Sequence, residues 1–213
     1  MNSKIEILIA DDHAIVRSGL KQILEETPDI VVAGEAANGR EVLEKLRGRR
    51  WDVLVLDITM PGRSGLDILK DIRQINPSLP VLVLSMHAEE QFATRMIKAG
   101  AAGYLNKESA PEELVKAIRK VYGGGRYVSA AQAERMVAEL AGDTSKMPHE
   151  RLSDREYEIL CLFASGKTAT QVAQQLSISV KTVSTYRSRI LDKMQMSTNA
   201  ELTHYAIKNG LVS

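Results

Sequence analysis

Over the first 122 residues the apolar positions fall into two alternating patterns. Short unbroken apolar runs stand at Ile5–Ala10, Ile30–Ala33, Val53–Leu56, Val81–Leu84 and Ala101–Leu105. Runs that are continuous rather than alternating predict strands buried on both faces. Between them the spacing is helical. Val16, Leu20, Ile23 and Leu24 fall at i, i+4, i+7 and i+8, and Leu114, Ile118, Val121 and Tyr122 repeat that register. Val42, Leu43 and Leu46 form a similar stripe, as do Leu66, Leu69 and Ile72, with Arg73 turned outward. Pro111 followed by Glu112 and Glu113 marks a helix first turn. Five strand–helix pairs predict an α/β domain with a parallel, doubly wound, flavodoxin-like sheet of five strands.

The pattern breaks at Gly123-Gly124-Gly125. A short helical stretch over Ala130–Leu140 follows, then a polar segment with Gly142 and Pro148. Residues 123–148 therefore read as a linker carrying a short helix. Residues 151–213 hold no strand-like run and predict an all-α unit of four helices, near 153–164, 168–175, 179–194 and 198–208. The expected domains are 1–122 and 149–213.

Composition changes this picture little. Apolar residues make up 44% and charged residues 26%, ordinary for a globular chain. No apolar run reaches the roughly 18 residues of a membrane span, and Met1–Glu6 lacks a signal-peptide core, so the expectation is a cytoplasmic protein with no membrane partner. One cysteine, Cys161, excludes an internal disulfide, and its apolar neighbours make it core. The net charge of +1 gives no global case for nucleic acid, so any such case is local.

The polar residues at the strand ends carry the first chemistry. Asp11 and Asp12 follow the first strand, Asp57 ends the third, Ser85 ends the fourth and Lys107 follows the fifth. All lie at carboxyl ends of strands, the edge where open α/β sheets bind ligands. With strand order 2-1-3-4-5, Asp11, Asp12 and Asp57 share one pocket. Three carboxylates at close range repel unless a cation joins them, and an oxygen-only donor set suits Mg²⁺. Lys107 adds a point charge for a phosphate oxygen and Ser85 a hydroxyl donor. A carboxylate nucleophile, a divalent metal, a lysine and a hydroxyl make a phosphoryl-transfer site. Singly, an Asp-Asp after a strand is a helix cap and a lone Ser or Lys is surface; five such residues on one edge outweigh that explanation. His13 reads as a surface residue at a helix start.

These segments resemble the receiver domain of two-component response regulators. The matching stretches are Ile9-Ala10-Asp11-Asp12-His13, Leu56-Asp57-Ile58-Thr59-Met60-Pro61-Gly62, Leu84-Ser85-Met86 and Gly103-Tyr104-Leu105-Asn106-Lys107, and the likeness covers residues 4–122. The resemblance implies that Asp57 is the phosphoacceptor, served by Lys107 and Ser85. It implies Mg²⁺ bound by Asp12, Asp57 and the backbone carbonyl of Thr59, with Asp11 acting mainly through water. Ser85 and Tyr104 match the family's paired switch residues.

In the second domain Val172, Ala173 and Leu176 mark one face of a short helix. Ser177-Ile178-Ser179 forms a tight turn, and Val183, Ile190, Leu191 and Met194 mark the inner face of the next helix. A small residue in the first helix and an apolar turn residue allow the close crossing of a helix-turn-helix. The outer face carries Ser184, Thr185 and Ser188, with Lys181, Arg187, Arg189 and Lys193 around them. From Lys167 onward six basic residues face two acidic ones, a modest basic footprint that on charge alone also fits a solvated bundle face. Leu152-Ser153-Asp154-Arg155-Glu156, Ile178-Ser179-Val180-Lys181-Thr182-Val183 and Asn199-Ala200-Glu201-Leu202 resemble the LuxR-type helix-turn-helix of the NarL/FixJ class, over residues 150–213. That resemblance implies base contacts from Ser184, Thr185 and Ser188, within a DNA face that includes Lys181, Thr182, Arg187, Arg189 and Lys193. Many members of the class have Lys where this chain has Ser184 and His where it has Tyr186, so base preference does not carry over.

Together these features lead to the expectation of a transcription factor controlled by phosphorylation, and not an enzyme beyond its own Mg²⁺-dependent phosphorylation and dephosphorylation. Expected partners are a sensor histidine kinase, promoter DNA, a second copy on activation and RNA polymerase. One rival is a metal-dependent phosphatase, disfavoured because Asp57-Ile58-Thr59 lacks a second acid two residues on. The other is an adaptor whose helical domain binds protein.

Overall fold

A computed structural model describes residues 4–60, 65–85, 90–130, 132–134, 137 and 147–212. The first domain follows the predicted alternation: β1 (Ile5–Ala10), α1 (Ala14–Glu25), β2 (Ile30–Ala36), α2 (Gly39–Gly48), β3 (Val53–Asp57), α3 (Gly65–Ile75), β4 (Val81–Ser85), α4 (Glu90–Lys98), β5 (Gly103–Asn106) and α5 (Ala110–Tyr122). The strands form one parallel sheet in the order β2-β1-β3-β4-β5. Ile5, Ile7, Ile9, Val53, Val55, Leu82 and Leu84 pack with Leu20 and Leu24 of α1 and Leu114, Ile118 and Val121 of α5. Successive strand residues face opposite ways, so Leu8, Leu54, Leu56, Val81 and Val83, also buried, belong to the other face. Burial on both faces is why the strands read as unbroken apolar runs.

Several boundaries differ from expectation. β2 continues to Ala36, with Gly34, Glu35 and Ala36 paired to Leu8, Ile9 and Ala10; the pairing steps from Val32 to Gly34 and so passes over Ala33. An edge strand with a bulge and a polar residue shows no continuous apolar run. β5 starts at Gly103 rather than Ala101. Arg73 is not turned into solvent: it is partly buried, and its side chain lies against Gly100. The first compact unit ends at Ala130 rather than at residue 122. Past the glycines, Tyr127 bridges to Gly103 and exchanges backbone hydrogen bonds with Ala102 and Tyr104, at 3.0 and 2.9 Å. Tyr127 is buried in the α1/α5 core, where burial and a hydrogen bond with Glu113 push its phenol up to about 12. The helix expected over 130–140 falls largely outside the described residues.

The second compact unit comprises a 3-10 turn (Pro148–Arg151) and helices α6 (Asp154–Ala164), α7 (Ala169–Gln175), α8 (Val180–Met194) and α9 (Asn199–Lys208). Each helix starts one residue after a hydroxyl cap. Ser153, Thr168, Ser179 and Thr198 accept from the backbone N–H of Glu156, Gln171, Thr182 and Glu201. Such caps contribute about 1 kcal/mol each, which matters for a helix of seven residues such as α7. Buried Ile159, Leu160 and Phe163 make α6 the centre, against Val172 of α7, Val183 and Ile190 of α8, and Leu202 of α9. Leu191, expected on the inner face, is only partly buried. His149 is fully buried, its Nδ1 2.7 Å from the Tyr205 hydroxyl, and ties the entry turn to α9.

Candidate functional site

Parallel register builds the acidic site. Ala10 pairs with Leu56, so the residues that follow, Asp11 and Asp57, stand side by side. Asp57 pairs with Leu84, and Ser85 is the next residue along β4. Asp11, Asp57 and Ser85 are all fully buried. Asp12, the next residue along the chain after Asp11, keeps a side-chain exposure of 28%. Lys107 opens a 3-10 turn after β5, capped by the Asn106 side chain, which accepts from the Glu108 N–H at 3.0 Å. The five predicted residues therefore converge, as expected, on one edge.

Lys107 is the centre of the charge arrangement. Its Nζ donates to Asp11 Oδ2 at 2.6 Å and to Asp57 Oδ2 at 2.7 Å. Burial alone would lower its pKa, but the Asp57 and Asp11 carboxylates outweigh burial and hold the ammonium above its ordinary value. The other Asp57 oxygen, Oδ1, accepts from the Thr59 N–H at 2.9 Å and the Thr59 hydroxyl at 2.7 Å. Gly65 makes that turn possible: a Cβ there would stand 2.6 Å from the Ile58 Cα, too close for any side chain.

Three carboxylates against one ammonium leave two negative charges, the charge a divalent cation neutralises. Ligand atoms of Asp11, Asp12, His13 and Asp57 lie within 4.8 Å of one another. Asp12 Oδ1 is buried without a hydrogen bond. The His13 Nδ1 is 3.0 Å away but not aligned to donate, and the His13 side chain is 64% exposed. A buried carboxylate oxygen with no donor is costly, and a cation removes the cost. The cluster thus fits a hard divalent metal with oxygen ligands.

Two supports had no sequence signal beyond their residue type. Arg17 of α1 donates to the Asp11 carbonyl at 2.7 Å, and Glu35 of β2 holds the same guanidinium at 3.3 Å. Their separation of 18 residues hides the link until β1 and β2 pair. Tyr104 is buried in β5, its exposure 3%.

In the second domain α8 presents Lys181, Ser184, Thr185, Ser188 and Arg189, all exposed. The hydroxyls of Ser184, Thr185 and Ser188 donate to the carbonyls of Val180, Lys181 and Ser184, at 3.0, 3.0 and 3.2 Å. Three members of the predicted DNA face have structural work. Thr182 shares a hydroxyl hydrogen bond with the cap Ser179 at 2.8 Å. Arg187 donates from Nε to Asn199 Oδ1 at 2.6 Å, tying α8 to the start of α9. Lys193 donates at 2.6 Å to Glu156, which is buried. Burial would raise the Glu156 pKa, but Lys193 and the Ser153 N–H outweigh it and hold the carboxyl low. Lys193 therefore braces α8 on α6, a role that its place in a basic stripe concealed.

Residues 7–119 match the response regulator receiver domain family, and residues 150–206 match the family of bacterial regulatory proteins of the luxR type. The response regulator UvrY of Escherichia coli strain K12 is 37% identical over 208 residues, covering 97% of this chain and 95% of the relative. The response regulator GacA of Pseudomonas protegens is 36% identical over 208 residues, covering 98% of each. Among solved structures, the RcsB response regulator of Salmonella typhimurium aligns with a TM-score of 0.72 at 28% identity, covering 95% of this chain and 96% of that one. RcsB bound to a promoter in the presence of the phosphomimetic BeF3⁻ aligns with a TM-score of 0.69 at 29% identity, covering 95% and 98%. With both domains matched and relatives aligned almost end to end, the chain belongs to the two-component response regulators of the NarL/FixJ class, a receiver domain followed by a luxR-family helix-turn-helix domain.

Proposed function

We propose that Asp57 accepts a phosphoryl group from a sensor histidine kinase, and that the aspartyl phosphate promotes dimerisation and binding of promoter DNA by the second domain. The observation that carries this reading is the Lys107 bridge between two fully buried carboxylates, beside a buried Asp12 oxygen without a donor. Mg²⁺ would be held by Asp12, Asp57 and the Thr59 carbonyl, with Asp11 reached through water. When bound, it supplies positive charge for the acceptor carboxylate and the incoming phosphoryl oxygens.

The Asp57 carboxylate attacks phosphorus; an O–P bond forms as the N–P bond to the donor imidazole breaks, and the imidazole nitrogen keeps the electron pair. The product carries a charge near −2, which the Lys107 ammonium meets. Ser85 donates its hydroxyl to a phosphoryl oxygen, and the Tyr104 ring follows it, biasing a receiver with two states. The receiver's own reactions are this transfer and the later hydrolysis. In the cytoplasm a dimer would set two α8 helices in the major groove at half-sites about 10 base pairs apart. Lys181 and Arg189 reach phosphates there, Ser184, Thr185 and Ser188 reach base edges, and RNA polymerase is the expected next partner.

The test is phosphate incorporation from a kinase or a small acyl phosphate. Asp57→Asn keeps the shape and removes the nucleophile, so base-labile incorporation is lost; chelation of Mg²⁺ stops it as well. Incorporation at the wild-type level in Asp57→Asn would move the acceptor elsewhere.

A further inference from the structure

At the opposite edge of the sheet, ahead of β4 and β5, two arginines reach the same loop. Arg73, near the end of α3, folds its side chain onto Gly100, so closely that a Cβ there would stand 2.9 Å from Nε and 3.0 Å from Cδ. Gly100 has φ +106°, a conformation that L side chains rarely adopt, so this approach is reserved for glycine. Arg126, beyond the Gly123-Gly124-Gly125 turn, donates to the carbonyl of Ala101, the next residue. Both guanidinium groups are thus gathered at one loop.

Their chemistry is incomplete. Arg73 spends one N–H on the Pro77 carbonyl at 2.8 Å, and its Nε is buried with no acceptor. Among the described residues neither arginine forms an ion pair. Burial, and after it the charge of the exposed Arg126, holds Arg73 below its ordinary pKa. A pair that served only to clamp two loop carbonyls would gain nothing from standing close, since each clamp needs one of five donors. Like charges beside one loop, with donors to spare and no ion pair among the described residues, match what planar guanidinium forks provide for oxoanions.

We propose that Arg73 and Arg126 form a binding site for a compact oxoanion of the carboxylate or phosphate class, at the amino-terminal edge of the receiver sheet. β4 has five residues at about 3.3 Å each, so the site lies about 15 Å from the edge that bears Asp57. Occupancy neutralises the two cations and engages the terminal guanidinium N–H groups that the Pro77 and Ala101 carbonyls leave over.

The experiment is a backbone-amide NMR titration of the full chain with inorganic phosphate and, separately, with acetate, each against chloride at the same ionic strength. The expected result is a saturable shift of the Gly100, Ala101 and Arg126 amides, with Arg126→Gln weakening the apparent affinity about tenfold, as for loss of a charged hydrogen-bond partner. Arg126→Lys, which keeps the charge and loses the fork, gives an intermediate affinity and carries the comparison should Arg126→Gln unfold. Tighter binding of phosphate or of acetate assigns the class. Phosphate contact at the acidic cluster would appear separately, at the Ser85 and Asn106 amides. Shifts no larger than chloride produces, or the same shifts with the same affinity in both variants, overturn the proposal.

Discussion

Lys107→Met tests the charge arrangement of the receiver most directly. The substitution keeps the stem and removes the ammonium that joins Asp11 and Asp57, two side chains with no exposure. Breaking a buried charge pair costs about 3–5 kcal/mol; solvent reaching the site beside the partly exposed Asp12 reduces this to about 2–4 kcal/mol. Trp51, the sole tryptophan, lies buried in the receiver, so its fluorescence follows that domain during urea unfolding. With a slope of about 2 kcal/mol per molar, the metal-free midpoint falls by about 1–2 M. The Lys107 pKa is raised, so its contribution is fully present below the ordinary value of 10.5 and is lost only as pH rises through the folded value. Between about pH 6 and 9 that contribution is therefore constant. Mg²⁺ replaces part of the lost charge. At a hundredfold excess over Kd it adds about 2.7 kcal/mol, and the variant, with the more negative cluster, binds it more tightly than wild type and closes most of the gap. Equal midpoints without metal, or a gap that Mg²⁺ leaves untouched, would refute the reasoning. The variant still accepts phosphate but shows little gain in dimerisation or DNA affinity on sedimentation and binding assays.

Three further outcomes follow from other contacts. Lys193→Met removes the partner of buried Glu156 and costs about 1–2 kcal/mol after discounting for the 41% exposure of the lysine. The Glu156 pKa is lowered, so this stability is present above the ordinary value of 4.5 and fades as pH falls through the folded value; hydrogen exchange of the α6 amides shows the gap to wild type closing in acid, and a gap that persists there is the contrary result. In a salt series on DNA, Lys181→Ala lowers the slope by about one unit and weakens all sequences alike, whereas Lys193→Met leaves the slope unchanged, and Thr185→Ala changes which sequences a randomised library returns. Gly65→Ala drives a methyl into the Ile58 backbone and so disturbs the Thr59 turn that holds Asp57 Oδ1; phosphorylation slows along with a loss of stability, and a normal rate would show that the turn does not position the acceptor.

Much of this protein follows from local pattern. Unbroken apolar runs mark strands covered on both faces, and the hydroxyls at 153, 168, 179 and 198 set the starts of α6 to α9 within one residue, because both signals are local in the chain. The convergence of Asp11, Asp57, Ser85 and Lys107 was also legible, since in a parallel sheet every strand's carboxyl end falls on the same edge. Tertiary structure decided what depends on partners distant in sequence. Tyr127 and Arg126 extend the first domain past residue 122 because the sheet edge at β5 offers backbone groups that the glycine-rich turn lets the chain reach. Arg73 folds inward because Gly100, in the turn after α4, leaves room for it. Lys193 stands in a basic stripe yet pairs with a carboxylate 37 residues away, and Lys107 bonds two acids 96 and 50 residues off. Residue type announces that a charge must be satisfied; only the fold brings up the group that satisfies it, because desolvation and Coulomb attraction act through space rather than along the chain.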